Sequence, residues 1–342
     1  MQKAKFILSK KKVLEQYNLI KDKCDFVSYS SKTNPLVSPI LEDNTGCFFS
    51  VHMINELDNI KDKSRVLFLA QGWDKNEIEE LVSLGIRYFS VDNEPDLKEL
   101  IDVIDDKDIK INLLLRLRLK ENTLRTERYF VFGMKYDDLK RNILKLRENK
   151  NIGLLGVNFH RKTQNMAEWN LKYEISDLFD EEILKAIDLV NIGGGLPSEY
   201  ANTNINVIES VFNKINEFRE WLKEHNIKLM MEPGRFIAAP AGKLVTRVVR
   251  IYGNNIIVNA SVYNSDMDAL VVPVKLLVEH EGKGNAYVIK GITPCSMDLF
   301  RYKVYLNNPK EGDIITFLNA GAYNFSTDFC NIDKIETEVI ES

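Results

Sequence analysis

Leu189-Val190-Asn191-Ile192-Gly193-Gly194-Gly195-Leu196-Pro197 reads as a short apolar strand that runs into three glycines and a proline. A backbone without Cβ atoms lets N–H groups approach an anion closely, as phosphate-binding nests do; the plainer alternative is a tight turn. On the C-terminal side an amphipathic stretch, Val207–His225, leads to another β-rich run, Lys228–Glu232, which stops at Pro233-Gly234. On the N-terminal side the helical pattern Asp180–Ile187 is preceded by the β-rich Leu154–Phe159. Short strand, amphipathic helix, short strand is the pattern of parallel β/α units.

Extended along the chain, that alternation yields eight candidate strands: Phe26–Ser31, Cys47–Val51, Arg65–Ala70, Tyr88–Asp92, Ile111–Leu117, Leu154–Phe159, Leu189–Gly193 and Lys228–Glu232. The helical stretches Asn76–Leu84, Asp96–Ile104 and Asp137–Glu148 fall between them. Eight strands over roughly 210 residues suit a (β/α)8 barrel. After Arg235 the β-prone runs Lys243–Tyr252, Asn255–Val262, Ala286–Ile289, Asp313–Leu318 and Ile335–Ile340 have few helices between them, and the apolar run Ala4–Leu8 is a candidate strand of the same domain. The expected organisation is an α/β protein: a (β/α)8 TIM-type barrel over residues 10–240, with residues 1–9 and 241–342 forming a second, mainly β domain.

The chain has 342 residues, 44% hydrophobic and 28% charged, which is ordinary for a soluble globular protein with room for two domains. No apolar tract reaches membrane-spanning length, and the N-terminal apolar stretch is too short for a signal-peptide core, so a cytoplasmic protein with no membrane role is expected. Cysteines 24, 47, 295 and 330 form no Cys-x-x-Cys pair. That spacing signals neither a metal site nor a disulfide framework, and free thiols fit a reducing compartment. The net charge is −4, with Lys and Arg scattered among Asp and Glu. Without a basic stripe, nucleic acid is not an expected partner.

In such a barrel the working residues gather at the C-terminal ends of the strands. Four ends stand out: Tyr29-Ser30-Ser31-Lys32-Thr33-Asn34-Pro35, Asn158-Phe159-His160, Asn191 to Pro197, and Met231-Glu232-Pro233-Gly234-Arg235-Phe236. Taken singly, each has a bland reading, the lysine a solvated charge, the histidine a structural side chain, the Glu-Pro-Gly-Arg an exposed turn. Together they match the needs of pyridoxal phosphate, which takes a lysine for its aldehyde, a cradle for its phosphate, a partner for its pyridine nitrogen and a group against its ring.

These residues resemble the ornithine, diaminopimelate and arginine decarboxylase family, the barrel-type pyridoxal enzymes related to alanine racemase. The resemblance runs from Tyr29 to about Phe329 and is carried by Lys32, His160-Arg161-Lys162-Thr163, the triple glycine, Glu232-Pro233-Gly234-Arg235, Cys295 and Gly321-Ala322-Tyr323, in that order. It implies that Lys32 bonds the cofactor, His160 stacks on its ring and Glu232 pairs with the ring nitrogen. Gly193, Gly194, Gly195, Thr163, Gly234, Arg235 and Tyr323 are then cofactor-binding residues. It also implies a homodimer with shared active sites, in which Cys295 of one subunit reprotonates the α-carbon in the other; a buried inert thiol is the alternative for that cysteine. A racemase, or a non-catalytic regulatory relative, are the competing functions; Glu232 opposes the first and Lys32 the second.

The chain departs from the family where its substrate is read. Ornithine decarboxylases resemble Asn-Asp-Gly-Val-Tyr and Cys-Asp, with two aspartates for the distal ammonium; here stand Asn259-Ala260-Ser261-Val262-Tyr263 and Cys295-Ser296. Diaminopimelate decarboxylases carry a glutamate where Ser296 stands. Ser296 and Asp298 are therefore candidate substrate residues, with Asp266 and Asp268 as other possible replacements for the missing carboxylates. Arg161 and Lys162 are either solvated loop charges or cations that meet a distal carboxylate, a group arginine binds bidentately. The expected substrate is a small amino acid, either a diamino acid or a carboxylated polyamine or conjugate.

Overall fold

Eight short parallel strands close on themselves in chain order: β2 (Phe26–Ser30), β3 (Phe48–Val51), β4 (Val66–Ala70), β5 (Tyr88–Val91), β6 (Ile111–Arg116), β7 (Ile152–Asn158), β8 (Leu189–Asn191) and β9 (Lys228–Met231). The register runs Ser28↔Phe48, Leu67↔Tyr88 and Leu114↔Gly156, and Val27↔Met231 closes the ring. The strands are mostly apolar and largely buried, with small polar residues such as Ser28 and Ser50 among them, as parallel strands covered on both faces are. Leu67, Leu114, Leu189 and Met230 pack as one buried cluster. Gly156 serves close packing, since a Cβ there would lie 2.3 Å from the carbonyl oxygen of Leu189 on the next strand.

The helices follow from the same patterning. Glu94–Asp106 starts at Asn93, whose side chain accepts from the Asp96 N–H, and buries Leu97, Leu100, Val103 and Ile104 on one face. Ile208–Glu224 buries Val211, Ile215, Phe218, Trp221 and Leu222. This computed structural model describes residues 3–119 and 131–342, which form two compact units, the barrel unit being 18–196 with 207–233. Among the described residues no helix is long and apolar enough to cross a membrane.

The second unit, 1–17 with 197–206 and 234–342, is built on a mainly antiparallel sheet. Its strands are β1 (Lys5–Ser9), β10 (Gly242–Tyr252), β11 (Asn255–Val258), β12 (Leu277–Val278), β13 (Asn285–Lys290), β14 (Leu299–Leu306), β15 (Ile314–Leu318) and β16 (Glu336–Ile340), ordered β12-β15-β10-β11-β13-β14. β1 pairs antiparallel with β10 and parallel with β16, so the two ends of the chain meet in one sheet. Gly321 sits so close to Gly242 and Ala238 that a Cβ would fall 1.9 Å from the Ala238 oxygen, which explains why Gly321-Ala322-Tyr323 begins with glycine.

Two expectations differ from what forms. The run Asn255–Val262 is a strand only to Val258, because Ser261 caps a short helix, Val262–Ser265, and its N–H donates to the Asn264 side chain. β14 is absent from the expected strands because its charges, Arg301 and Lys303, break the apolar run; Arg301 is buried and donates to the Leu276 carbonyl at 2.7 Å and to Glu281 at 2.8 Å.

Candidate active site

Lys32 stands just past the end of β2, in a single helical turn, Ser31–Thr33. Its neighbours fix that turn: Tyr29 Oη donates to the Asn34 carbonyl at 3.1 Å, Asn34 Oδ1 accepts from the Leu36 N–H, and the Ser31 and Ser38 hydroxyls lie 3.1 Å apart. The lysine itself is exposed, and its Nζ lies 3.3 Å from Nε2 of His52, the residue that follows β3. His52 has no place among the expected site residues.

Glu232 follows β9 and is buried. Its Oε1 accepts from Asn191 Nδ2 at 2.7 Å and Asn158 Nδ2 at 3.2 Å, amides at the ends of β8 and β7, and its N–H donates to the Gly193 carbonyl. Burial raises its carboxyl above the usual range, opposed by hydrogen bonds from Ser50 and Asn191 and by the cations Lys32 and Arg116. A buried carboxylate held by neutral donors, with cations acting only from beyond hydrogen-bonding distance, is short of an ionic partner.

His160 follows β7 at the same mouth, and its Nδ1 accepts the Gly194 N–H at 3.1 Å. Its ring is accessible from the mouth yet crowded by protein, and that desolvation, with the charges of Lys32 and Arg116, brings its pKa down to about 3. It is therefore a neutral imidazole with its proton on Nε2. The three glycines are required here: Gly193 and Gly195 have φ of +65° and +98°, and a Cβ on Gly193 would lie 2.6 Å from His160 Nδ1, one on Gly194 2.8 Å from the Glu232 carbonyl oxygen. Thr163 lies on the loop after His160, which is tied to the glycines by Asn165 N–H donating to the Gly195 carbonyl.

On that loop the structure corrects the reading of Arg161. Arg161 is neither a solvated charge nor free to read a substrate: it is 2% exposed and paired with Glu174 and, at 3.4 Å, with Glu168. A guanidinium stays charged, so its burial requires carboxylates beside it. Lys162 also reaches Glu168, at 3.3 Å.

The remaining expected residues lie in the second unit. Gly234 precedes the short helix Arg235–Ala238. Arg235 is buried, bonded twice to Asp268 and, at 3.0 Å, to Tyr200 Oη, with the Tyr323 ring 4.9 Å from its guanidinium. Tyr323 has a φ of +53°, a strained backbone for a bulky residue and one that turns up at functional positions.

Cys295 Sγ lies 3.0 Å from Tyr263 Oη, and Tyr263 stacks on Phe329 with ring centroids 3.9 Å apart. Hydrogen bonds from the Tyr263 hydroxyl and the Met297 backbone hold the Cys295 thiol below its ordinary range, and the same bond pushes Tyr263 up to about 12. Cys24 and Cys47 behave oppositely, since burial pushes both thiols up to about 12. Cys295 is thus partly accessible, which removes the buried-thiol alternative.

Ser296 is exposed beside it, in a groove of about 650 Å³ that also contains Lys290. Asp298 does not face a ligand: it is buried, its Oδ1 accepting from Val262 N–H at 2.9 Å and its Oδ2 from the Thr293 N–H and hydroxyl at 3.0 and 2.7 Å. Asp268 is taken by Arg235, and Asp266 is buried beside it, its carboxyl raised well above the usual range by burial and by that neighbouring charge.

The barrel mouth fits pyridoxal phosphate. It offers an exposed lysine amine, glycines with no room for side chains, and a buried carboxylate to which a protonated ring nitrogen would give an ionic partner. Residues 10–239 match the family model of the pyridoxal-dependent decarboxylases, pyridoxal binding domain. A diaminopimelate decarboxylase of Vibrio cholerae is 24% identical over 82% of this chain and 72% of its own. A Staphylococcus aureus enzyme, 2-[(L-alanin-3-ylcarbamoyl)methyl]-2-hydroxybutanedioate decarboxylase, is 25% identical over 78% of this chain and 74% of its own. Among solved structures, the diaminopimelate decarboxylase of Helicobacter pylori with L-lysine superposes with a TM-score of 0.85 at 18% identity, covering 100% of this chain and 92% of that one. By the extent of the family match, this chain belongs to the pyridoxal-dependent decarboxylases, enzymes that remove the carboxyl group of amino acids with pyridoxal phosphate as cofactor.

Proposed function

We propose that the chain decarboxylates an α-amino acid whose far end carries a carboxylate, and that Lys32, Glu232, His160 and the triple glycine do this work in the barrel while Cys295 serves a second subunit's barrel. What carries the reading is the convergence at one barrel mouth of an exposed lysine and a buried carboxylate held by neutral donors. Bound pyridoxal phosphate supplies the sink for the electron pair left when carbon dioxide departs. Lys32 Nζ holds the cofactor's aldehyde carbon. Glu232 keeps a proton on the ring nitrogen, which deepens the sink. His160, neutral and pinned by Gly194, would be the group against the ring. Gly193, Gly194, Gly195, Thr163, Gly234 and Tyr323 are the proposed phosphate residues. Arg235 is proposed to act there from its Asp268 pair.

The substrate class rests on which carboxylates are spoken for. Ala260 and Ser296 replace the residues expected to hold a distal ammonium, and Asp268 and Asp298 have inward partners. An ammonium without a carboxylate is costly to bury, whereas Lys290 lies in the groove beside Cys295. The butanedioate in the staphylococcal enzyme's name fits, whereas diaminopimelate fits only by its distal carboxylate, since its distal ammonium would lack the glutamate that Ser296 replaces. The test is carbon dioxide release from a panel of ornithine, lysine, diaminopimelate and carboxylated diamino-acid conjugates. Fastest release from a substrate with a distal carboxylate is expected; preference for ornithine or lysine would overturn the substrate class.

The working unit is proposed to be a cytoplasmic homodimer. Unpaired cysteines suit a reducing compartment, and exposed Ile292, Met297 and Tyr302 near Cys295 suit an interface. Cys295→Ala is expected to bind cofactor and release carbon dioxide but to yield, instead of amine, an aldehyde, with the amino group left on the cofactor, since the α-carbon has lost its proton donor. Mixed with inactive Lys32→Ala subunits it should regain amine formation. About half of randomly paired dimers are hybrids with one intact site of two, so about a quarter of the wild-type rate is expected. Hybrids that form and make no amine would put Cys295 outside the partner's site.

A further inference from the structure

His52 belongs to none of the family features above, yet its Nε2 is 3.3 Å from the amine of Lys32. We propose that His52 is the positioning residue for Lys32, holding the amine through a neutral hydrogen-bond acceptor where an acidic side chain would hold it as an ammonium ion. The inference rests on Lys32 as the cofactor lysine.

The backbone at His52 is clamped. Glu56 Oε1 accepts the N–H of His52 at 2.9 Å and of Met53 at 3.0 Å, so one carboxylate fixes the turn that aims the ring. His52 Nδ1 lies 3.9 Å from that oxygen, beyond hydrogen-bonding distance, and is buried without a partner, as is Glu56 Oε2. Nε2 is therefore the ring atom in use, and it faces Lys32. The ring is neutral: burial first, then the charges of Lys32, His160 and Arg116, bring its pKa down to about 3. The acids that act on Lys32, Glu56 and Glu232, do so through space and not through a hydrogen bond among the described residues.

The arrangement has a chemical consequence. To bond the cofactor, Nζ must be a free amine: it adds to the aldehyde carbon, and its two hydrogens leave with the aldehyde oxygen as water. A carboxylate at 3 Å would stabilise the ammonium form and delay that step; a neutral imidazole orients the amine with a much smaller penalty.

The test follows cofactor capture and not turnover. Apoprotein is mixed with pyridoxal phosphate across a pH series and the growth of the visible absorbance band is timed, with circular dichroism confirming that each variant is folded. His52→Gln keeps a neutral acceptor and should keep the wild-type profile. His52→Glu should move the profile to higher pH by about 1–3 units. His52→Leu, with no acceptor, should capture about three- to tenfold more slowly at every pH. A wild-type profile in the Glu variant, or wild-type rates in the Leu variant, would overturn the role of His52. A wild-type protein that captures no cofactor would instead overturn the reading of Lys32, and this inference with it.

Discussion

Lys32→Ala is expected to abolish turnover, by at least on the order of 10⁴-fold as for other removed nucleophiles, and to leave the fold intact. The loss follows because Nζ is the group that bonds the cofactor's aldehyde; with a methyl in its place, borohydride should no longer fix cofactor to the protein, as mass spectrometry would read. The fold should survive because the lysine is exposed and its turn is held by others, Tyr29 on Asn34 and Ser31 beside Ser38. The free energy of unfolding should therefore change no more than for a surface substitution, about ±0.5 kcal/mol. Normal carbon dioxide release by a folded Lys32→Ala protein would end the assignment of the cofactor site.

The barrel was legible because parallel strands buried on both faces are mostly apolar runs, and the same property placed Lys32, His160, the glycines and Glu232 at strand ends. Helices at Lys10–Ile20, Val37–Asn44 and Leu171–Leu178 were not legible. The first opens on three lysines, cations that oppose the helix dipole at its N-terminus, and the second carries Pro39, which reads as a breaker in sequence although a helix's first turn accommodates it.

The harder losses are pairings across the sequence. Arg161 meets Glu168 and Glu174, seven and thirteen residues on, across a loop with no helix or strand before Leu171 to make those spacings readable. Asp268 meets Arg235, and Asp298 folds back on Val262 and Thr293, so carboxylates that look available in a string of letters are consumed inside the protein. His52 could have been found by the rule that exposed Lys32, since it stands one residue past β3. Asn158 and Asn191 stand at strand ends too, and two amides ending neighbouring strands are a signal that something between them needs donors.

Those two amides bear on Glu232→Gln, which should keep the cofactor and lose most of the rate. Glutamine has the carboxylate's shape, so its amide oxygen can take the place of Oε1 and accept from Asn191 and Asn158 as the carboxylate does, at 2.7 and 3.2 Å. Its NH2 then replaces Oε2. That group donates where the carboxylate accepted, so it favours a ring nitrogen without its proton, and the electron sink is shallower when carbon dioxide leaves. Removing one electrostatic partner of this kind costs about 2.7–4 kcal/mol, or roughly 10²–10³ in kcat. Binding should be spared because Lys32 and the glycine cradle are untouched, and the visible absorbance band should persist with full occupancy. Stability should not fall, since a buried charge has been exchanged for a neutral amide of the same size. Single-turnover release of carbon dioxide separates the chemical step from product release and is the measurement to make. A rate equal to wild type at full occupancy would mean that another residue holds the ring nitrogen; loss of cofactor in place of rate would mean that Glu232 serves the cradle and not the ring.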